Sequence, residues 1–128
     1  MSAATLLREA ALAALRADPL LSARLNGVYD SVPPGAQPPF TYLPDILSVD
    51  WGTKTARGRE LRLGVMVEAP EAKALPDLAD AAEAAILALP PDLPGWRIAS
   101  CVYLRSLASD EGKQRRRLIE FRVRMLEG

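Results

Sequence analysis

The side chains from which enzymes most often build an active site are scarce in this sequence. Its 128 residues include no histidine, which removes the commonest general base, the usual partner of a catalytic serine and the commonest zinc ligand. The single cysteine, Cys101, excludes paired-cysteine redox chemistry and cysteine-rich zinc sites, and its place in a predicted strand favours a buried, small hydrophobic side chain. We therefore expect a protein that is not an enzyme and that uses no cofactor or metal.

Glycines and carboxylates offer two further kinds of site. The glycine spacing matches neither GxGxxG nor GxxxxGK[ST], the patterns that cradle phosphates, so nucleotide binding is not expected. Asp45 with Asp50, and Glu68 with Glu71, are the nearest candidates for an acid–base pair or a metal site. Nothing in the sequence desolvates or orients these acids, so we interpret them as solvated and keep a carboxylate enzyme as a minor alternative.

A basic segment precedes the last predicted strand. It consists of Lys113, Arg115, Arg116 and Arg117, and such a concentration of positive charge can meet phosphates or an acidic partner. The equally simple interpretation is a solvated strand start. Arg122 and Arg124 continue the positive charge along the same strand, but no exposed aromatic residues alternate with it, so a platform for single-stranded nucleic acid is not indicated.

The segment 50–58 is the most distinctive part of the chain. It joins two predicted strands with more residues than a tight hairpin needs, and its glycines Gly52 and Gly58 permit large backbone excursions. Long loops of this kind are often functional. The candidate interface residues of this loop are Asp50, Trp51, Thr53, Lys54, Thr55 and Arg57. The alternative is that Trp51 folds onto the rim of the core while the rest of the loop is mobile.

Length and composition set the frame for these segments. Residues 1–128 have the size of a single domain with one core, and 49% hydrophobic with 25% charged residues is a globular balance. Sixteen basic and sixteen acidic residues cancel, so no global field attracts a polyanion or an anionic membrane surface. The lone cysteine and the lack of a recognisable export signal predict assembly in a reducing cytoplasm, and no apolar run is long enough to predict a membrane span.

Periodicity predicts the elements that must position these residues. Apolar spacings of three and four indicate helices over 3–16 and about 75–89, and a short turn, helical or not, is expected between Leu20 and Leu25. Alternation indicates strands from Phe40, over 59–68, over about 97–107 and over about 115–126, with Pro44 marking an edge strand or a bulge. The predicted fold is α+β, a mainly antiparallel sheet of four to five strands with two main helices packed on one face.

With these elements in place, the sequence resembles the tail-completion or tail-terminator proteins of long-tailed phages and gene transfer agents. The matching pieces are residues 17–20, 27–33 and 40–43, together with the runs Tyr29-Asp30-Ser31-Val32-Pro33 and Asp50-Trp51-Gly52-Thr53-Lys54-Thr55. The likeness covers nearly the whole chain, but the C-terminal hairpin matches in pattern only.

The resemblance implies a structural protein of the virion or gene transfer agent particle, located at the head–tail junction. It implies a ring of identical subunits, usually six, that caps the tail tube and offers a surface to the head connector or stopper protein. DNA would meet such a ring only in transit through its channel, and no membrane partner is implied. The 50–58 loop and the basic segment around Lys113 are then the candidates for the lumen or the rim that faces the tube.

Two other functions stay open at this point. One is a head-completion or stopper subunit of the same particle. The other, from a different class, is a non-viral ferredoxin-like module that binds a small molecule.

Overall fold

The computed structural model describes residues 1–110 and 115–128 of the chain. Within these residues the fold is α+β, as the sequence predicts, with three α-helices and seven strands. The helices are α1 (Ala3–Ala17), α2 (Pro19–Arg24) and α3 (Leu75–Leu87). The strands are β1 (Gly27–Tyr29), β2 (Phe40–Tyr42), β3 (Leu47–Asp50), β4 (Gly58–Ala69), β5 (Asp92–Leu93), β6 (Trp96–Ala108) and β7 (Arg115–Glu127).

The first two helices are delimited by side-chain caps and a proline. The Ser2 hydroxyl accepts a hydrogen bond from the Thr5 amide at 3.1 Å and begins α1. Asp18 then separates the helices, because the residue before Pro19 is driven out of the α region, and its carboxylate caps α2 by accepting from the Leu21 amide at 3.0 Å. The short turn predicted here is therefore a capped helix of six residues.

The third helix begins after a 3-10 turn at Ala72–Ala74 and has Pro76 in its first turn, where the missing amide hydrogen costs nothing. Asp77 lies in the same turn, where the helix dipole favours a carboxylate. The helix ends at Leu87, two residues before the predicted end, and Pro90 follows shortly after.

The sheet has the order β1-β2-β4-β7-β6-β5, and β3 pairs with the same edge of β4 as β2 does. The predicted four to five strands are thus too few, because β1 and β5 are only two or three residues long and too short for alternation to predict a strand, and because one predicted strand is divided in two. The sheet is also mixed, since β1 and β2 are parallel while the other pairs are antiparallel.

The strand predicted from Phe40 onward is divided at Pro44 into β2 and β3. Tyr42 pairs with Met66 and Leu47 pairs with Arg62, so both pieces lie along one edge of β4 with a gap between them. A proline has no amide hydrogen for the ladder, so the edge strand or bulge expected at this position is instead a break between two short strands.

One hydrophobic core lies between the helices and one face of the sheet. The side chains of β4 and β7 that enter it are Leu61, Leu63, Val65, Val67, Ile119, Phe121, Val123 and Met125, all at most 1% exposed. They pack with Leu7, Leu15, Leu78 and Ile86 of α1 and α3. The helices therefore cover one face, as predicted, and the opposite face, called the open face below, has no helix on it within the described residues. No described helix has the length and apolar character needed to cross a membrane.

Candidate functional site

The two segments that the sequence singles out lie at opposite ends of the long β4–β7 pair. Gly58 pairs with Leu126 at the end where the 50–58 loop lies, and Ala69 pairs with Arg115 at the other end. Because β4 has 12 residues and a strand advances about 3.4 Å per residue, the two ends are about 37 Å apart. The fold therefore gives two separate candidate surfaces.

The 50–58 loop is held by its own backbone. The β3–β4 ladder continues past Asp50, because the Trp51 amide donates to the Gly58 carbonyl at 3.0 Å. The Thr53 amide then donates to the Ala56 carbonyl at 2.8 Å, and the Thr53 hydroxyl accepts from the amides of Thr55 and Ala56. The loop is thus an extension of the hairpin that ends in a turn of four residues, rather than a long free connection.

Glycine serves this loop through close backbone approach and not through unusual dihedral angles. Neither Gly52 nor Gly58 has a positive φ. A Cβ atom on Gly58 would lie 2.7 Å from the Trp51 carbonyl oxygen, and one on Gly52 would lie 3.1 Å from the Ala56 carbonyl oxygen. The expectation of large backbone excursions at these glycines is wrong, and the reason for glycine here is the narrow space between the two chain segments.

Trp51 lies on the open face rather than in the helix-covered core. The guanidinium carbon of Arg124 is 5.1 Å from the centre of its ring, within range of a cation–π contact. Arg124 also donates from Nε to Glu60 Oε1 at 2.9 Å. Trp51 is half-buried by this arrangement, but it packs on the open face and not on the rim of the core, where the alternative places it.

The remaining polar side chains of the loop differ in whether they have an ion-pair partner. Asp50 approaches Arg59 at 3.5 Å and Arg57 approaches Glu127 at 3.3 Å, so both charges are paired. Thr53, Lys54 and Thr55 are exposed. Lys54 has no ion pair within residues 1–110 and 115–128, and it is the free charge of this loop.

The basic segment does not form one positive patch. Lys113 lies outside the described residues. Arg115 and Arg117 share the strand face of Ile119 and Phe121, whereas Arg116 lies on the open face, because successive side chains of a strand point to opposite sides. Arg115 approaches Asp110 at 3.9 Å. The alternation of β7 thus divides a run of three arginines between two surfaces.

Arg116 is bound to a buried carboxylate. Its Nε donates to Glu68 Oε1 at 2.8 Å, and the Glu68 side chain is only 4% exposed. The prediction that Glu68 lies on a solvated face is wrong, because β2 and the Arg116 side chain cover it: Phe40 is paired directly with Glu68. A buried carboxylate of this kind requires a cation beside it.

Sequence reasoning missed Arg8, which ties α1 to the connecting segments. Its guanidinium forms an ion pair with the Asp30 carboxylate and donates to the carbonyl oxygens of Leu43 at 2.6 Å and Pro44 at 3.0 Å. The helical pattern places Arg8 off the apolar stripe, which suggests a solvated residue, and only the tertiary structure brings these acceptors to it. Beside it lies an open groove of about 900 Å³ between α1 and the segments around Val32 and Ile46.

The carboxylates considered for an enzyme or metal site are paired with basic side chains or are exposed to solvent. Asp45 is exposed, Asp50 is 81% exposed, and Glu71 lies 3.4 Å from Lys73. In the part of the chain that the structure describes, no three acidic or cysteine side chains are grouped to hold a metal ion. The Cys101 thiol is half-buried near the Ile86 carbonyl, and burial raises its pKa above the ordinary value, which keeps it protonated.

Comparison with known proteins adds three findings. A family model described as tail completion protein gp17 matches residues 9–127. A solved chain from a structure titled "Virion of native gene transfer agent (GTA) particle" superimposes with a TM-score of 0.77 and 29% sequence identity, covering 100% of each chain. No curated protein matches this sequence.

Proposed function

We propose that this chain, which belongs to the tail completion protein gp17 family, is a tail terminator that forms a ring on the tail tube and joins it to the head connector. It is a structural protein of a phage or gene transfer agent tail. The observation that supports the finer role is the family match over residues 9–127 combined with the full-length likeness to a chain of a gene transfer agent virion. A structural family of the virion also favours a role without enzymatic activity.

A closed ring of identical subunits needs two different and complementary surfaces on each subunit. The first is the outer edge of β3, whose four residues are all exposed. Leu47 is 64% exposed and Val49 is 45% exposed, and both lie on the open face opposite Arg62 and Glu60. A free strand edge with exposed apolar side chains is a template for pairing with another chain.

The second surface is the outer edge of β6. Its first residues, Trp96 and Arg97, pair with β5, and beyond Ile98 the described strands leave this edge unpaired. Tyr103 and Leu107, at 43% and 40% exposed, lie along it. A chain with two unlike free edges suits head-to-tail association between the β3 edge of one copy and the β6 edge of the next.

The charges beside the two edges are of opposite sign. Asp45 precedes β3, is exposed and has no ion pair within the described residues, whereas Asp50, the last residue of β3, approaches Arg59 at 3.5 Å. On β6, Arg97 is exposed and has no ion pair within the described residues, whereas Arg105 is bound to Glu120 at 3.0 Å. The unpaired charges beside the two edges are therefore those of Asp45 and Arg97. Opposite charges favour contact between unlike edges and disfavour contact between two copies of the same edge. We propose one such domain over residues 1–128 and a ring of six copies.

The two ends of the β4–β7 pair are proposed to face the two neighbours of the ring along the tail axis. The 50–58 loop presents Thr53, Lys54 and Thr55 on a rigid turn, which suits docking to the tube protein. The opposite end, where Arg115 begins β7, is then directed to the head connector or stopper. DNA meets the ring only in transit.

The ring is tested by particle size. Val49→Asp should leave the chain folded, because Val49 is exposed, yet abolish ring-sized particles in light scattering and negative-stain microscopy with tube protein present. Val32→Asp is the matched control, since Val32 is also exposed, at 37%, and belongs to the segment between β1 and β2 rather than to either strand edge. A strict monomer in the unmodified protein, with and without tube protein, would overturn the ring.

The position in the particle is tested by complementation. A strain without the gene should give heads and tubes that do not join, and the unmodified gene should restore them. Lys54→Glu should bind isolated tubes less well than the unmodified protein and bind isolated heads equally. Binding to heads but not to tubes would instead assign the chain to a stopper position.

A further inference from the structure

The open face of the three long strands has more positive than negative charge. The charged residues that share this face by register are Glu60, Arg62, Glu68, Arg97, Arg105, Arg116, Glu120, Arg122 and Arg124. Six arginines against three glutamates leave a net charge of +3, in a chain whose total formal charge is zero. The surplus of positive charge is therefore a property of this face and not of the whole molecule.

Each glutamate of the open face is engaged at close range by a particular arginine. Glu60 accepts from Arg124 at 2.9 Å and Glu68 accepts from Arg116 at 2.8 Å. Glu120 Oε1 is 3.0 Å from both Nε and Nη2 of Arg105. The three glutamates of this face are thus in close contact with Arg124, Arg116 and Arg105. The two arginines at the centre of the face do not share these close contacts.

Those two arginines, Arg62 and Arg122, are directly opposite each other on neighbouring strands. Arg62 reaches only the second oxygen of Glu120, at 3.9 Å. The Nε of Arg122 is buried and has no hydrogen-bond partner among the described residues. Like charges directly opposite on a sheet are destabilising, and a guanidinium provides donors that an oxyanion would satisfy.

We propose that Arg62 and Arg122 form an oxyanion site that contacts the phosphate backbone of double-stranded DNA. This inference rests on the proposed function, since DNA passes through a ring that ends a tail. No helix of the described residues covers the open face, which is about 37 Å long and positive at its centre, and this suits a sequence-independent phosphate contact. Its only tryptophan within the described residues, Trp51, is already stacked on Arg124, so base stacking by single strands is not favoured.

Each copy of the chain has one such site. The DNA contact is therefore weak for a single chain and is repeated around a ring. Neutralising phosphates releases counterions, so the affinity should fall steeply with salt. A contact of this kind reads no sequence, because guanidinium–phosphate pairs position a protein on DNA without distinguishing bases.

The test uses fluorescence anisotropy of the purified full chain with a labelled duplex of mixed sequence over a range of salt concentrations. Arg122→Gln and Arg62→Gln should each weaken binding about three- to tenfold and reduce the slope of log affinity against log salt by about 1. Arg24→Gln is the matched control, because Arg24 is exposed on α2 next to Asp77 and should bind as the unmodified protein does. Arg122→Lys keeps the charge and should keep most of the affinity.

Thermal unfolding separates loss of binding from loss of folding. Removing one of two opposed arginines relieves repulsion, so Arg122→Gln should unfold at the same or a higher temperature than the unmodified protein. A lower unfolding temperature would show that Arg122 stabilises the fold and would overturn the proposal. Equal duplex binding by the Arg122→Gln variant and the unmodified protein would overturn it as well.

Two further measurements distinguish the alternatives. If an acidic peptide, polyglutamate, binds in an Arg122-dependent manner and the duplex does not, the pair serves a protein partner and the DNA proposal is wrong. In complementation, Arg122→Gln should still give joined heads and tails, because the site is away from both proposed docking ends. Failure of the unmodified gene to restore joining would count against the proposed function, whereas failure of duplex binding counts against this site alone.

Discussion

At one end of the β4–β7 pair the 50–58 loop is held by backbone hydrogen bonds, whereas at the other end the arginines of β7 are held by carboxylates. Backbone hydrogen bonds, the Thr53 hydroxyl and two close-packed glycines keep the shape of the loop, so the Lys54 side chain is not needed for it. Arg116 instead neutralises the buried Glu68. A run of charge in the sequence is therefore a weaker sign of a docking surface than a short, rigid turn.

The largest expected loss of stability is at the end of the β4–β7 pair where Arg115 and Arg116 lie. Arg116→Ala leaves the Glu68 carboxylate buried without its cation, which should lower the free energy of unfolding by about 3 kcal/mol. Chemical denaturation measures this change. Arg115→Ala is the control, because Arg115 is 39% exposed and only 3.9 Å from Asp110, and it should cost less than about 1 kcal/mol. Equal losses of unfolding free energy in the two variants would mean that Arg116 stabilises the fold no more than the exposed Arg115 does.

The next effect is at the loop end. Gly58→Ala places a Cβ atom 2.7 Å from the Trp51 carbonyl oxygen, so the two chain segments must separate, at a cost of about 2 kcal/mol. Gly64→Ala on the same strand meets the flexible Leu118 side chain at 3.1 Å and Pro44 only at an ordinary contact distance of 3.8 Å, and should cost less. Denaturation curves for the two variants compare them, and a smaller loss for Gly58→Ala would show that the loop has room to adjust.

A smaller effect is expected inside the turn. Thr53→Ala removes the hydroxyl that accepts from the Thr55 and Ala56 amides, and water replaces it in part, so the loss should be about 0.5 to 1 kcal/mol. Hydrogen exchange at these two amides should become faster in this variant. Lys54→Ala serves as the control, because the exposed Lys54 side chain has no ion pair within the described residues, and unchanged exchange in Thr53→Ala would mean that the Thr53 hydroxyl does not hold the turn.

The smallest effect is expected away from both ends, at Cys101. Burial raises the pKa of this thiol in the folded state, so the folded chain binds the proton more tightly than the unfolded chain does. Its contribution is present at neutral pH and is lost as the pH rises through the folded-state pKa. The unfolding temperature should therefore fall slightly more at alkaline pH for the unmodified protein than for Cys101→Ala. A larger fall for the variant would contradict the raised pKa of the folded state.

Strong periodicity made much of the fold predictable. The bounds of α1, β4, β6 and β7 lie within a residue or two of their predicted positions, because long amphipathic segments give many repeats of one pattern. The strands β1, β3 and β5 could not be predicted with the same certainty, since segments of two to four residues form strands only where a neighbour offers hydrogen bonds. The same limit applies to Arg8, whose acceptors lie more than 20 residues away.

By itself, the sequence determined the α+β class, the main helices and long strands, and the resemblance that the family match confirms. These features depend on local pattern and on residue identity, which the chain contains directly. The tertiary structure alone decided that the two candidate segments lie at opposite ends, that the basic run is divided between two faces, and that Arg62 faces Arg122. Strand register sets each of these, and register arises from pairing between distant parts of the chain.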